Sequence, residues 1–108
     1  MVIIETSIFT RQIATILNED EYRDLQNVLV ATPGAGEIIQ GGGGIRKIRC
    51  GASGRGKRGG ARVIYYWANN HDQIFMLFAY AKNERDDLTK DQLSALRQIV
   101  ISEFKHER

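Results

Sequence analysis

Apolar positions along the chain change their period twice. Residues 2–5, VIIE, read as a short first strand. In residues 7–17, SIFTRQIATIL, the residues Phe9, Ile13, Ile16 and Leu17 recur at helical spacing and share one face. Tyr22, Leu25, Val28 and Leu29 form a second helical stripe. Asn18 and Glu21 stand at capping-box spacing before it, and Pro33-Gly34 stops it. So few residues join the two segments that an antiparallel helical hairpin is expected.

Beyond Gly34 the helical period is lost. IRKIRC, residues 45–50, alternates like a strand, with Ile48 opposite in direction to Lys47 and Arg49. ARVIYYW, residues 61–67, is rich in β-branched and aromatic side chains, and a turn cluster, ANNHD, follows it. QIFMLFAYA, residues 73–81, is apolar on both faces, as a central strand covered on both sides would be. The period then returns to that of a helix. Thr89 and Gln92 have capping-box spacing, and Leu93, Leu96, Val100 and Phe104 form a stripe over residues 90–104. The order is β-α-α-β-β-β-α. It predicts an α+β fold, a small antiparallel sheet with an N-terminal helical hairpin and a C-terminal helix, the helices packed on one side. With 108 residues and no internal repeat, one domain is expected.

Composition narrows the class. The longest apolar run, Ile74 to Ala81, is too short to span a membrane, and no signal peptide is visible. The single cysteine, Cys50, has no partner for an internal disulfide and no histidine near it in sequence, so a small strand residue and a cytoplasmic location are expected.

Charge changes the picture more. Between Ile38 and His71 lie seven Lys or Arg and no carboxylate, whereas elsewhere thirteen carboxylates outnumber eight cations. A net charge of +2 therefore conceals a strongly basic half, and phosphate is the natural partner for such a field. All eleven glycines lie between Gly34 and Gly60, and RCGASGRGKRGGAR, residues 49–62, combines five of them with five cations. Gly51-x4-Gly56-Lys57 imitates the start of a P-loop, and Gly54-x-Gly56-x-x-Gly59 a dinucleotide fingerprint. Both motifs require a helix next, and a strand follows instead. The segment reads as a hairpin loop anchored at both ends by strands.

Alternation assigns faces. Lys47 and Arg49 point one way on their strand, Arg62 points with Ile64 and Tyr66 on the next, and Tyr80 shares a face with Lys82. If those faces coincide, Lys47, Arg49, Arg62, Tyr80 and Lys82 line one concavity with Arg55, Lys57 and Arg58 at its rim. Tyr65, Tyr66 and Trp67 read as core or sheet-surface rings, with base stacking weighed as the alternative, first for Tyr66. His71 sits in a turn and His106 near the C-terminus, neither beside the basic stretch. No Cys/His cluster suggests zinc, and the patch lacks carboxylates for magnesium, so no cofactor is expected.

PGAGEIIQGGGGIRKIRCGASGRGKRGGARVIYYW, with FAYAKNERDDLT after it, resembles the RelE/HigB toxins of bacterial toxin–antitoxin systems, most closely the HigB branch. The specific pieces are residues 44–49, 56–66 and 80–84. The resemblance implies a ribosome-dependent mRNA endonuclease that cuts the codon in the 30S decoding site. It also implies a cognate antitoxin, a HigA-like helix-turn-helix protein, which blocks the toxin and alone brings the complex to promoter DNA. The family's catalytic cations fall on Lys47, Arg49, Arg62 and Lys82, with Arg46, Arg55, Lys57, Arg58 and Asn83 as RNA-binding positions. Two departures stand out: Asn83 where RelE has arginine, and Thr89 where RelE has tyrosine. Tyr80 or Lys57 are the substitutes for the missing groups.

Cleavage by a 2′-hydroxyl needs a base, charge stabilisation at phosphorus and an acid at the leaving 5′-oxygen. Arg49 and Arg62 suit the phosphorane. Crowded cations favour a neutral lysine, so Lys47 suits the base, and Lys82 or Tyr80 the acid. Two alternatives share these features: a ParE-like gyrase poison and a non-catalytic RNA-binding homologue.

Overall fold

A computed structural model describes residues 1–51, 60–82, 84 and 87–105. Arg55, Lys57, Arg58, Asn83 and His106 lie outside the described residues. Five strands, β1 (Val2–Glu5), β2 (Glu37–Ile38), β3 (Ile45–Cys50), β4 (Ala61–Ala68) and β5 (Gln73–Ala81), form one sheet in the order β1-β5-β4-β3-β2. β1 runs parallel to β5 and every other pairing is antiparallel. With helices α1 (Ser7–Ile16), α2 (Glu19–Ala31) and α3 (Lys90–Val100), the fold is α+β as expected. It contains one strand more than the alternation revealed, the two-residue β2. Among the described residues no helix is long and apolar enough to cross a membrane.

The caps act where the spacing placed them. The Thr6 hydroxyl accepts from Phe9 N–H at the start of α1. Both halves of the Asn18/Glu21 and Thr89/Gln92 capping boxes are closed, so orphan amides of the first turns of α2 and α3 are satisfied. Glu19, Asp20 and Glu21 also set negative charge against the positive end of α2. α3 gives way after Val100 to a wider π-helical turn, Ile101–Lys105, rather than continuing to Phe104.

The helices cover both faces, not one. Phe9, Ile13, Leu17, Leu25 and Leu29 of α1, α2 and their junction pack on Val63, Tyr65, Ile74 and Met76. Leu96 and Val100 of α3 pack on Ile45, Ile64, Phe75 and Leu77 from the opposite side. The physical reason lies in β5. A strand apolar on both faces leaves one face wet unless a second layer covers it. Tyr66, weighed as a stacking platform, lies against Phe104 at 5.5 Å under the end of α3.

An irregularity in β5 serves this double coverage. Ile64 pairs with Phe78 but Tyr65 pairs with Met76, leaving Leu77 as an extra residue. Leu77 and Phe78 therefore both belong to the α3 side. The start of α1 satisfies the disturbed backbone: the Thr6 hydroxyl donates to Leu77 C=O at 3.0 Å, and the Gln12 side chain accepts from Ala79 N–H at 2.8 Å. Glu5, at the end of β1, accepts from the Tyr22 and Thr10 hydroxyls and ties strand to both helices.

Candidate functional site: a cationic groove

α3 covers only part of its face of the sheet. Lys47, Arg49 and Arg62 sit on this face, with Lys82 just after β5. There a groove of about 520 Å³ is lined by Ala35, Glu37, Lys47, Ile48, Arg49, Arg62 and Lys82. Each cation arrives by a simple rule. Lys47 and Arg49 are two apart on β3 and share the face of Ile45. The register sets Lys47 beside Ile64 and Arg49 beside Arg62. Lys82 follows β5, its backbone N–H donating to Gly60 C=O at 3.0 Å across the base of the β3–β4 connection's return. Among the described residues, four cations, from β3, β4 and the residue after β5, thus line one groove with one carboxylate, a concentrated positive field in a concave wall.

The surroundings hold these groups in place. Arg62 is only 9% exposed, and its Nη1 donates to Ala61 C=O at 3.4 Å. Lys47 Nζ lies 3.3 Å from Asp87 Oδ1, which also accepts from Leu88 N–H at 2.9 Å. Asp87 is well exposed, so this pair orients Lys47 more than it stabilises the fold.

Ala35, in the turn at Pro33–Gly36, also lines the groove. The Tyr65 hydroxyl donates to Pro33 C=O at 2.7 Å and accepts from Gly36 N–H at 2.9 Å. Burial pushes the Tyr65 hydroxyl above its ordinary ionisation range. Gly36 has no room for a side chain: a Cβ there would lie 2.8 Å from Tyr65 Cε1 and 2.9 Å from Lys47 C=O. Arg46 closes the same turn, Nη1 donating to Gly34 C=O at 3.2 Å and Gly36 C=O at 2.8 Å. Its alternation places it on the opposite face from Lys47, so the structure sets Arg46 to brace a loop, away from the groove it was expected to serve.

Tyr80, read from alternation as either a groove residue or a core tyrosine, lies in the core. It is the cross-strand neighbour of Arg62, but its ring is 4% exposed in the α3 core, 6.4 Å from Phe78. Cys50 turns to the α1–α2 side, where burial pushes its thiol up to about 11, even against the lowering influence of Arg62. A thiol so protonated is a poor nucleophile. His71 follows the far end of β4, its ring against Phe104 at 5.5 Å, remote from the groove.

Glu37 is the groove residue the sequence reading missed. It stands one residue before the carboxylate-free stretch, on a strand too short for any period. Its cross-strand partner is Lys47, so its side chain shares the groove face. The usable signal was the position of Glu37, directly ahead of a glycine-rich turn and the IRKIRC strand, which permits a hairpin across from Lys47.

The arrangement can grip a phosphodiester, neutralise charge that builds on its oxygens, and offer a carboxylate and an ammonium for proton transfer. A model of the RelE toxin of RelE/RelB toxin–antitoxin systems matches residues 7–107, nearly the full sequence. The three helices and β2–β5 fall within that match, and β1 precedes it. The protein is accordingly the toxin of a toxin–antitoxin pair with a cognate antitoxin as its partner, and it belongs to the RelE toxin family.

Proposed function

We propose that the groove is an endoribonuclease site that cuts mRNA in the decoding site of the 30S ribosomal subunit and so stops translation. The observation that carries this reading is the lining itself: Lys47, Arg49, Arg62 and Lys82 line a groove of about 520 Å³, room for a nucleotide and its phosphate. The groups a neutral ligand would need are few there, and the groups a polyanion would need are abundant.

Arg49 and Arg62 hold the non-bridging oxygens of the scissile phosphate. Glu37 accepts the proton of the 2′-hydroxyl, with Lys47 beside it orienting the nucleophile. The 2′-oxygen forms a bond to phosphorus as the bond to the 5′-oxygen breaks, and Lys82 delivers a proton to that leaving oxygen. The products are a 2′,3′-cyclic phosphate and a free 5′-hydroxyl. Charge on the phosphorane exceeds that on the diester, so the arginine contacts strengthen towards the transition state, which is the requirement for catalysis. Tyr80 contributes as the packed neighbour that backs Arg62 from β5. Arg55, Lys57, Arg58 and Asn83 extend the contact with the RNA backbone. The HigB-like pieces, residues 44–49 and 56–66, favour a HigA-like helix-turn-helix antitoxin that carries the pair to promoter DNA, and the work is cytoplasmic, where the ribosomes are.

Induced expression with mapping of mRNA 5′-ends tests the reading. New ends inside codons of translated transcripts are expected. Intact transcripts with broken chromosomal DNA would overturn it in favour of gyrase poisoning.

A further inference from the structure

Lys47 has two carboxylates within its reach, from different parts of the fold. Glu37 on β2 is its cross-strand partner, and both side chains line the groove. Opposite charges directly across two strands attract, so Glu37 is the acceptor that the sheet itself offers to Lys47. Among the described residues, however, Lys47 forms its ion pair with Asp87, Nζ to Oδ1 at 3.3 Å.

Asp87 lies 40 residues further along the chain, where backbone and helix fix it. Its Oδ1 also accepts from Leu88 N–H at 2.9 Å. Two residues on, Thr89 caps α3 with both halves of its capping box closed. Leu96 and Val100 then hold α3 to Ile45, Ile64, Phe75 and Leu77. Asp87 is not part of the groove lining, so it takes hold of Lys47 from outside. An exposed ion pair contributes little to stability. What this one decides is direction, because a lysine side chain has many rotamers and this contact selects among them.

We propose that Asp87 is a positioning residue for the groove: it keeps Lys47 off Glu37 and leaves that carboxylate open to the 2′-hydroxyl of the RNA. The inference rests on the endoribonuclease reading. A carboxylate paired with a lysine is a weaker base, because the adjacent ammonium favours its ionised form. Its lone pairs are also taken up by the lysine rather than by the substrate. Held at Asp87, Lys47 stays in the lining, where its charge adds to the field on the phosphate. α3 supplies no lining residue, yet through the residue at its entry it governs a site built on the sheet.

The test is Asp87→Asn, which keeps an oxygen to accept from Leu88 N–H and removes the charge that holds Lys47. RNA affinity is expected to stay within about fivefold of the parent's. Single-turnover cleavage on programmed ribosomes is expected to slow by about 10-fold or more. In a Lys47→Gln background the same substitution is expected to change nothing further. In a crystal structure of Asp87→Asn, Lys47 Nζ is expected within ~4 Å of a Glu37 carboxylate oxygen. Cleavage at the parent's rate overturns the proposal. So does faster cleavage, which would make Asp87 a competitor of the RNA phosphate. Equal slowing with and without Lys47, or a Lys47 that remains at position 87 in the crystal structure, overturns it as well. A parent chain that cleaves nothing overturns the endoribonuclease reading instead, and the crystal structure, which needs no cleavage, still decides whether Asp87 directs Lys47.

Discussion

Arg49 on β3 stands directly across from Arg62 on β4, two guanidinium side chains in register on one face of the sheet. Like charges in that position oppose folding by roughly 0.2–1 kcal/mol. Arg62 is also 9% exposed, a costly place for a charge. Arg49→Gln is therefore expected to raise the denaturation midpoint slightly and to slow RNA cleavage by about 10²–10³. Chemical denaturation and cleavage rates on the same preparation check both halves. Loss of stability together with activity would mean that the pair is structural.

Glu37 should separate binding from chemistry. Glu37→Gln removes the one negative side chain that, among the described residues, lines the groove. RNA should bind as tightly or more tightly, while the cleavage step slows by about 10²-fold or more. Equilibrium RNA binding and single-turnover cleavage on the same preparation check the separation.

The groove wall depends on contacts that leave no slack. Gly36→Ala would drive a methyl group against Tyr65 and the backbone of Lys47. A cost of about 1–3 kcal/mol is expected, with reduced cleavage because Glu37 follows directly. Tyr65→Phe keeps the volume but leaves Pro33 C=O and Gly36 N–H without the hydroxyl they share, at about 1–3 kcal/mol. Thermal melts of the two variants check these figures.

Cys50 makes the fold sensitive to alkali. Its thiol ionises ordinarily at 9.0 and is pushed up to about 11 in the folded chain. The folded state thus holds a proton that the unfolded state releases. The associated stability is fully present below pH 9 and is lost as pH rises towards 11. Tyr22 and Tyr65 are raised in the same sense and steepen the decline at still higher pH. Cys50→Ala should flatten the first part of the curve, measured as unfolding free energy at a series of pH values. At neutral pH, Cys50 should react with a thiol reagent far more slowly in the folded chain than in denaturant.

Most of the architecture was legible because local signals and packing agree. The capping pairs Asn18/Glu21 and Thr89/Gln92 close where their spacing places them. QIFMLFAYA is an interior strand with both faces covered. That same pattern already argued for helices on two sides, the inference that reading all helices onto one layer overlooked. Convergence of Lys47, Arg49, Arg62 and Lys82 followed from strand alternation combined with antiparallel pairing. The remainder depended on particulars no period encodes. A two-residue strand carries Glu37 into the groove, and two carbonyls of a remote turn draw Arg46 out of it. Tyr80 is buried because α3 packs over it, a tertiary fact absent from its own strand. Val28 fits its helical stripe and is 47% exposed where α2 and β3 border a cleft.

The most direct measurement is single-turnover cleavage of an end-labelled mRNA on programmed ribosomes, comparing the parent chain with Arg62→Ala. The account predicts a product ending in a 2′,3′-cyclic phosphate, formed about 10²–10³ times more slowly by the variant although it still binds the ribosome. Equal rates for the two proteins, or no cleavage by the parent, would contradict it.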